Sequence, residues 1–328
     1  MCEYFWSNSA MCFSSLMNRP VELCRKQARS PHRGFATILR IVLASVGAVA
    51  GPATNATPSA AAKTADKSPW QRIVMIGASV TAGFTAAEPL GGPNTPHYDL
   101  SRYVDAALTV PHKPVQNLGN AFFFFQPNVF AQQQLTRALT NNPTLIIGVD
   151  FLFWFCYGEG STDEERLQRF DQGLKLLEKV DCPLVVGDIP DASAAVNGML
   201  RPDQMPSLKA IAAANLRLKE WAGSRRHVVI LGLSEFMRNV MANRAITIRD
   251  YTLPDGKTRI LVQDDKLHSS PPGCAVLALA TLDAFQSTRQ GIHSRELRRD
   301  PKEIFRRVIY SQKPAPTKAS TSKTALQE

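Results

Sequence analysis

The sequence predicts an α/β protein in which a parallel sheet is covered by helices on both faces. Short apolar runs rich in β-branched residues recur along the chain, and longer segments with helical periodicity lie between them. Strands that alternate with helices favour parallel pairing, because each helix carries the chain back across the sheet. The chain has 328 residues, of which 44% are hydrophobic, and this is enough for one large core.

The apolar runs are the candidate strands. Glycine, proline and asparagine bound them, as is typical of buried strands. They occupy residues 72–76, 114–118, 144–149, 183–187 and 227–232.

The clearest predicted helix spans residues 163–179. Glu164 stands three residues after Ser161, as in a capping box. Apolar residues then recur at intervals of three and four, which is the spacing of one buried helix face: Leu167, Phe170, Leu174 and Leu177.

Two further helices and a hairpin complete the predicted body. Pro206 opens a helix over 206–222, and the last helix of the body covers 272–287. Between these helices, two β-like runs surround the turn signal at residues 254–256, Pro-Asp-Gly. Beyond residue 295, a charged helical stretch is expected before the end of the chain.

The distribution of charge separates the ends of the chain from its body. The formal net charge is +10, yet residues 63–294 hold 23 Lys/Arg against 22 Asp/Glu. The basic excess therefore lies in the two ends, and no basic face for nucleic acid is expected. The predicted domains are a leader over 1–50, a linker rich in Ala, Thr and Pro over 51–69, the main folded domain over 70–294, and a basic, largely disordered tail over 295–328.

The leader has the parts of a secretory signal. Five basic residues between 25 and 40 precede the apolar run Ile41–Ala50, which ends in an A-x-A site. The run is too short to cross a bilayer, so no stable membrane span is expected. These features predict a secreted or periplasmic protein, and the alternative is a leader without structure on a cytosolic protein.

Neither the cysteines nor any phosphate-binding motif indicates a cofactor. Cys156, Cys182 and Cys274 lie in the body without CxxC spacing, so at most one disulfide forms, and buried thiols are the simpler expectation. No cluster with metal-ligand spacing and no G-x-x-x-x-G-K-[ST] occurs. The sequence therefore predicts neither a metal nor another cofactor.

Ser79 follows the first predicted strand, where the chain turns into a helix. Ligands of open parallel sheets bind at the carboxyl ends of the strands, so Ser79 is a candidate nucleophile. A serine in this position also serves as a plain helix N-cap, and Ser79 alone does not separate the two interpretations.

His268 is the candidate base for this serine. It lies directly before the last helix, and Asp265 is three residues earlier, a spacing that can bring the carboxylate to Nδ1 of the imidazole. Asp265 would then fix the tautomer and leave Nε2 for Ser79. A surface loop with Ser269 or Ser270 as a helix cap is the alternative.

Three segments taken together resemble the GDSL/SGNH hydrolase family. "IGASVTAG" (76–83) is similar to the first block of the family, with Ser79 at the nucleophile position. "VQNLGNA" (115–121) resembles the second block, with Gly119 at the oxyanion glycine, and "DDKLHSSPPGCAVLA" (264–278) resembles the last. The resemblance covers about residues 70–290. It implies a three-layer α/β/α sandwich with a parallel, flavodoxin-like sheet and hydrolysis of an ester or acetyl group.

The same resemblance implies an oxyanion hole, and the chain departs from the family pattern at two positions. The donors would be the N–H groups of Ser79 and Gly119 and the side chain of a third-block asparagine. Ala78 stands where the family usually has Asp, and Asp150 stands where it has that asparagine. An ionised Asp150 would repel an oxyanion, whereas a protonated one would donate to it, and the sequence leaves both states open.

Two aromatic runs follow the second and third predicted strands. They are Phe122–Phe125 and the segment 151–155, "FLFWF". Two interpretations fit these runs: a wall for an apolar or sugar-containing substrate, and packing beneath a loop.

The leading functional hypothesis is a secreted serine hydrolase that cleaves an O-acyl ester of a small molecule or carbohydrate. One alternative is a weakly active or inactive relative that binds a carbohydrate or acyl ligand. The other is a flavodoxin-like or Rossmann-like binding protein in which Ser79, Asp265 and His268 coincide by chance.

Overall fold

The computed structural model describes residues 68–158, 162–288 and 294–311. The chain divides into two units, Met1–Ala61 and Ala62–Glu328, and every described residue belongs to the second. The predicted leader and most of the linker therefore lie outside the described residues.

The central sheet has five parallel strands in the order β2-β1-β3-β4-β5. This order confirms the predicted parallel, flavodoxin-like sheet. Each strand falls inside one of the five predicted runs: β1 (Ile73–Met75), β2 (Gln116–Asn117), β3 (Leu145–Gly148), β4 (Leu184–Gly187) and β5 (Val228–Leu231).

A separate antiparallel hairpin is formed by β6 (Ile246–Ile248) and β7 (Tyr251–Leu253). The hairpin was predicted, but its turn was placed wrongly. The chain reverses at Arg249, which has a positive φ of 47°, and the Pro-Asp-Gly segment follows β7 instead of joining the strands. A non-glycine residue adopts such a φ without a sequence signal, which is why the turn was missed.

Helices cover both faces of the sheet and confirm the three-layer α/β/α architecture. Helices α3, α5 and α6 pack on one face, and α2, α8 and α9 pack on the other. The helices of the described residues are α1 (Ser79–Ala82), α2 (Leu100–Ala107), α3 (Pro127–Thr140), α4 (Phe153–Cys156), α5 (Asp163–Leu177), α6 (Leu208–Gly223), α7 (Leu233–Met241), α8 (Pro271–Ser287) and α9 (Pro301–Tyr310).

Side chains of β1 and of the residue after it alternate between two hydrophobic cores, one on each face of the sheet. Val74 and Ile76 point into the core under α3, α5 and α6, whereas Ile73 and Met75 point into the core under α2, α8 and α9. All four side chains are at most 2% exposed. Because both faces are covered, β1, β3, β4 and β5 are continuous apolar runs without polar alternation, whereas the edge strand β2 is polar and half-buried.

Helix α5 begins at Asp163, as predicted, but its capping box lies one residue later than predicted. Thr162 is the N-cap, and Thr162 and Glu165 form the capping box, not Ser161 and Glu164. Ser161 itself lies outside the described residues. The two candidate pairs have the same spacing and similar chemistry, so the sequence alone did not separate them.

The folded domain does not end at residue 294, as predicted, but continues at least to Ser311. Leu297 and the α9 residues Ile304 and Val308 are at most 3% exposed and belong to the core beneath α2 and α8. Trp70 also donates a 2.7 Å hydrogen bond from Nε1 to Glu296. A charged helix was expected here, but its charged composition concealed the apolar face that completes the core.

The described body contains no disulfide. Cys156 and Cys274 are buried thiols, and Cys182 is a free, half-buried one. Among the described residues no helix combines the length and apolar character that crossing a membrane requires.

Candidate active site

Ser79 is the first residue of α1, and residues 76–78 connect it to the carboxyl end of β1. Gly77 makes this turn possible, because it has a φ of +153° and a Cβ there would lie 2.2 Å from Oδ1 of Asp150. A side chain at residue 77 would therefore push the turn away from the carboxylate that holds it.

The structure brings Ser79, His268 and Asp265 together. The Ser79 Oγ lies 2.8 Å from His268 Nε2, and His268 Nδ1 lies 2.8 Å from Asp265 Oδ2. The side chains of His268 and Asp265 are 3% and 6% exposed. Three residues chosen from their positions in the sequence thus form one continuous series of hydrogen bonds, which is the geometry of a Ser-His-Asp triad.

Asp265 holds the loop of His268 as well as its ring. Its Oδ1 accepts hydrogen bonds from the backbone N–H groups of Leu267 and His268, at 2.9 and 3.0 Å. Burial raises the pKa of the Asp265 carboxyl, but hydrogen bonds and charge from His268, with the Leu267 amide, outweigh burial and hold that pKa below its ordinary value. An ionised Asp265 stabilises the imidazolium that forms when His268 takes a proton.

Two contacts join the histidine loop to the nucleophile loop. The rings of Phe84 and His268 pack with their centroids 4.4 Å apart. Gln263 donates from Nε2 to the carbonyl oxygens of Phe84 and Ser269, at 2.9 and 3.0 Å. These contacts hold the two loops together, although Ser79 and His268 are 189 residues apart in sequence.

Asp150 does not occupy the oxyanion position that the sequence suggested. Its Oδ1 accepts from the Ala78 N–H at 3.0 Å and from the Thr81 hydroxyl at 2.6 Å. Its Oδ2 accepts from the N–H groups of Val80 and Thr81, at 2.8 and 3.3 Å. Both oxygens are therefore engaged by the start of α1, and neither is left to face a substrate.

Burial raises the pKa of Asp150 above its ordinary value, although the Thr81 hydroxyl and the amides of Ala78, Val80 and Thr81 act in the opposite direction. A buried carboxylate is costly unless it is hydrogen-bonded, and four donors around Asp150 supply that compensation.

Gly119 also differs from its predicted role. Its N–H donates at 2.8 Å to Asn117 Oδ1, and it is thereby not available to an oxyanion in this structure. Asn117 in turn donates from Nδ2 to the Thr81 carbonyl and to Asp99, both at 2.7 Å. The absence of a side chain at Gly119 still matters, because a Cβ there would lie 2.8 Å from the Ala82 nitrogen. The glycine lets the loop after β2 approach α1 closely.

Two site residues were missed by the sequence analysis. Gln134 of α3 is 5% exposed and both accepts from the Gly77 N–H and donates to the Gly77 carbonyl, each at 2.8 Å. Asn120 donates its N–H to the same carbonyl at 3.1 Å, and its Oδ1 accepts from the Phe122 N–H at 2.8 Å. Among the described residues, the Asn120 Nδ2 has no hydrogen-bond partner. Only the N-L-G-N sequence could have drawn attention to Asn120, and no local pattern marks Gln134.

The aromatic runs divide between the two interpretations. Phe123, Phe151 and Phe155 are at most 1% exposed and pack in the core. Phe122 and Phe125 are 38% and 57% exposed.

Phe124 connects these exposed rings to the interior. It stacks on Phe125 with centroids 4.2 Å apart and lies 5.5 Å from the ring of Trp154. We call Phe122, Phe124, Phe125 and Trp154 the aromatic patch. It follows β2 and β3, the two strands that flank β1, and so belongs to the same edge of the sheet as Ser79.

No group of His, Cys, Asp and Glu side chains suited to a metal ion occurs within the described ranges. The site is built from a serine, an imidazole and a carboxylate, and this set can transfer an acyl group by nucleophilic and general acid–base catalysis.

No protein-family model matches the chain. No curated protein matches it either. Among solved structures, the fold is similar to a lipase/acylhydrolase from Enterococcus faecalis, with 17% identity, 68% of this chain and 100% of that chain covered, and a TM-score of 0.43.

A GDSL-like lipase from Bacteroides thetaiotaomicron has 12% identity over 67% of this chain and 89% of its own, with a TM-score of 0.42. An acetylxylan esterase from Geobacillus stearothermophilus has 12% identity over 66% and 94%, also with a TM-score of 0.42. Values this low carry no residue's role and no substrate across to this chain.

Proposed function

We propose that this protein is a serine hydrolase of the GDSL/SGNH type that cleaves an O-acyl ester. The observation that carries the proposal is the hydrogen-bonded chain Ser79–His268–Asp265, with 2.8 Å at each of its two links. These three residues lie at the carboxyl edge of a parallel sheet, the edge at which such folds bind ligands.

In the acylation step, Ser79 Oγ attacks the ester carbonyl carbon while His268 Nε2 takes the hydroxyl proton. Asp265 holds Nδ1 and stabilises the imidazolium. The carbonyl oxygen becomes an oxyanion that the Ser79 N–H can bind, since the first residue of a helix has no intrahelical acceptor. The intermediate then collapses, and the leaving alkoxide takes the proton from His268 as the alcohol.

Deacylation repeats these steps with water as the nucleophile. His268 removes a proton from the water as it attacks the acyl carbon, and it returns that proton to Ser79 Oγ when the second intermediate collapses. The products are a carboxylic acid, an alcohol and the free enzyme, so no cofactor is consumed.

A fluorophosphonate probe and a p-nitrophenyl ester test the proposal. We expect the wild-type protein to be labelled at Ser79 and to hydrolyse p-nitrophenyl acetate. Ser79→Ala should lose both properties while keeping the thermal unfolding temperature of the wild type. Hydrolysis at the wild-type rate by Ser79→Ala would exclude Ser79 as the nucleophile.

The substrate proposed is a neutral ester of a small molecule or carbohydrate. Between Lys113 and Arg137 the sequence has no charged residue, and this stretch supplies the loop after β2. The three phenylalanines of the aromatic patch lie in that loop and offer apolar contact to an acyl group or to a sugar ring.

A second candidate function is ligand binding with weak turnover. The observation that favours it is the Gly119 N–H, which is engaged by Asn117 and leaves the oxyanion with fewer backbone donors. Binding of a carbohydrate or acyl ligand by the Ser79→Ala variant, together with negligible hydrolysis by the wild type, would support this candidate.

We also propose that the chain is exported, because the basic segment, apolar run and A-x-A site occur in the order of a secretory signal. N-terminal sequencing of the protein from its native host tests this. A chain that begins after Ala50 in the medium or periplasm supports export, and an intact leader on cytosolic protein contradicts it.

A further inference from the structure

One buried carboxylate holds most of the backbone around the nucleophile. Asp150 accepts hydrogen bonds from the N–H groups of Ala78, Val80 and Thr81 and from the Thr81 hydroxyl. All these donors lie in a single turn of chain, and Asp150 is 5% exposed.

A second buried side chain extends this arrangement by one residue. Gln134 fixes Gly77 through its N–H and its carbonyl, both at 2.8 Å. Across residues 77–81, four backbone N–H groups are therefore bound by two side chains, and the Ser79 N–H is bound by neither.

We propose that Asp150 is a positioning residue that fixes the turn around Ser79 so that, of this run of amides, the Ser79 N–H alone faces the oxyanion. Gln134 and Thr81 assist it. This inference rests on the proposed function. In it, Asp150 does not contact the oxyanion at all, and acts only by holding the backbone of the nucleophile turn.

The chemistry of the side chain explains why a carboxylate fits this position. Four donors converge on it, and two carboxylate oxygens can accept from all four. An asparagine has one acceptor oxygen, and its NH₂ group would face donors from Val80 and Thr81. The asparagine variant therefore leaves buried amides unsatisfied, and the turn must shift.

The test compares Asp150→Asn with three matched variants of the full chain. Thr81→Val removes one donor to Asp150 without a change of shape, and Thr81→Ser keeps that donor. Asp188→Asn is the control, because Asp188 also caps a helix, accepting from the Ser234 N–H at 2.6 Å and from its hydroxyl, but it follows β4, two strands away from β1.

Turnover is measured per active site, with sites counted by fluorophosphonate titration. Asp150→Asn is expected to lower kcat about 10²-fold with little change in KM, because a misplaced donor weakens binding of the transition state more than binding of the substrate. Thr81→Val should lower kcat in the same way, and Thr81→Ser should restore it. Asp188→Asn should lower the unfolding temperature but keep the kcat per site.

The proposal is overturned if Asp150→Asn has the wild-type or a higher kcat per site. It is also overturned if Asp150→Asn reduces only the number of active sites and keeps the kcat of each site, which is the effect expected of simple destabilisation. A faster Asp150→Asn variant would return Asp150 to the oxyanion position.

Hydrogen exchange at single amides tests the same idea without activity. In the wild type we expect slow exchange at Ala78, Val80 and Thr81 and faster exchange at Ser79, and Asp150→Asn should accelerate the first three. Equal protection of Ser79 and its neighbours would contradict the proposal. If the wild type is not labelled by fluorophosphonate, the proposed function fails, and the exchange measurement still decides the role of Asp150.

Discussion

At the scale of single residues, the site depends on which backbone groups are left unbound. Ala78 and Asp150 are the two positions at which the chain departs from the GDSL/SGNH pattern, and the structure places them in contact, with the Ala78 N–H 3.0 Å from Asp150 Oδ1. Ala78 is 1% exposed. A second carboxylate at residue 78 would lie beside the first in a buried turn, where like charges repel strongly, so the two departures fit each other.

The two neighbouring aspartates 264 and 265 provide a matched pair of variants. Asp265→Asn is expected to lower kcat by roughly 10³- to 10⁴-fold, because the amide no longer fixes the imidazole tautomer. Asp264 is exposed, and Asp264→Asn should change kcat less than about twofold. Steady-state kinetics on a p-nitrophenyl ester decides this, and equal effects of the two variants would exclude Asp265 as the orienting acid.

Asp265 also gives a pH dependence of stability. The pKa of Asp265 lies below its ordinary value of 3.8, so its contribution to stability is present above pH 3.8 and is lost as the pH falls through the folded-state pKa. The difference in unfolding temperature between wild type and Asp265→Asn should therefore shrink in acid. Thermal unfolding from pH 7 downward measures it, and a difference that stays constant would contradict the hydrogen bond to His268.

Asn120 is a candidate for the second oxyanion donor, because its Nδ2 has no hydrogen-bond partner among the described residues and its N–H binds the Gly77 carbonyl beside the nucleophile turn. Asn120→Asp keeps the acceptor for the Phe122 N–H but replaces the Nδ2 donor, so we expect kcat to fall about 10²- to 10³-fold without loss of folded protein. Asn117→Asp is not a suitable control, because Asn117 donates to Thr81. Asn128, an exposed residue of α3, is suitable, and Asn128→Asp should keep the wild-type rate. An unchanged rate for Asn120→Asp would remove Asn120 from the site.

At the scale of elements, the loops after β2 and β3 give the site its apolar side. In the aromatic patch, the buried Trp154 and the half-buried Phe124 support Phe122 and Phe125, which are exposed and can contact a ligand. Phe125 is 57% exposed although it stacks on Phe124, so much of its ring remains accessible for contact.

Phe125→Ala tests whether the aromatic patch binds the acyl chain. Loss of an apolar contact worth about 1.4 kcal/mol would lower kcat/KM for a long-chain p-nitrophenyl ester about 10-fold. The rate with the acetyl ester should not change. Leu216→Ala is the control, since Leu216 is equally exposed, at 57%, but lies within α6. If Phe125→Ala leaves the dependence of kcat/KM on acyl-chain length unchanged, the aromatic patch does not bind the acyl chain. The patch would then contact a sugar ring, or the acyl chain would bind on another surface.

At the scale of the whole molecule, two cores on opposite faces of one sheet hold Ser79, His268 and Asp265 in place. The nucleophile loop continues β1, and the histidine loop leads into α8, which packs on the face opposite to α3 and α5. The distance from Ser79 to His268 therefore depends on the packing of α8 against the sheet, to which α9 contributes.

Ile304→Ala tests the contribution of α9. Ile304 is fully buried, so the variant should lose about 2–5 kcal/mol of unfolding free energy. Ile260→Ala is the control, because Ile260 is 60% exposed and its loss should cost little. Chemical denaturation measures both variants. Wild-type stability of Ile304→Ala would restore the domain boundary at residue 294.

The sequence by itself determined the strands, the parallel sheet and the three residues of the proposed triad. Buried strands between helices are continuous apolar runs, and this pattern is local and easily recognised. Ser79 follows such a run directly, and Asp265 and His268 lie within one turn of each other, so their geometry is also largely local.

Only the tertiary structure decided the roles of Asp150, Gly119, Gln134 and Asn120. Gln134 contacts Gly77 across 57 residues of sequence, and Asp150 contacts Ala78 across 72. Residue type limits what each of these side chains can bind, but the partner is set by how helices and strands pack. A carboxylate beyond β3 can face a substrate or turn back to the start of α1, and the direction depends on where the nearest unsatisfied N–H groups lie.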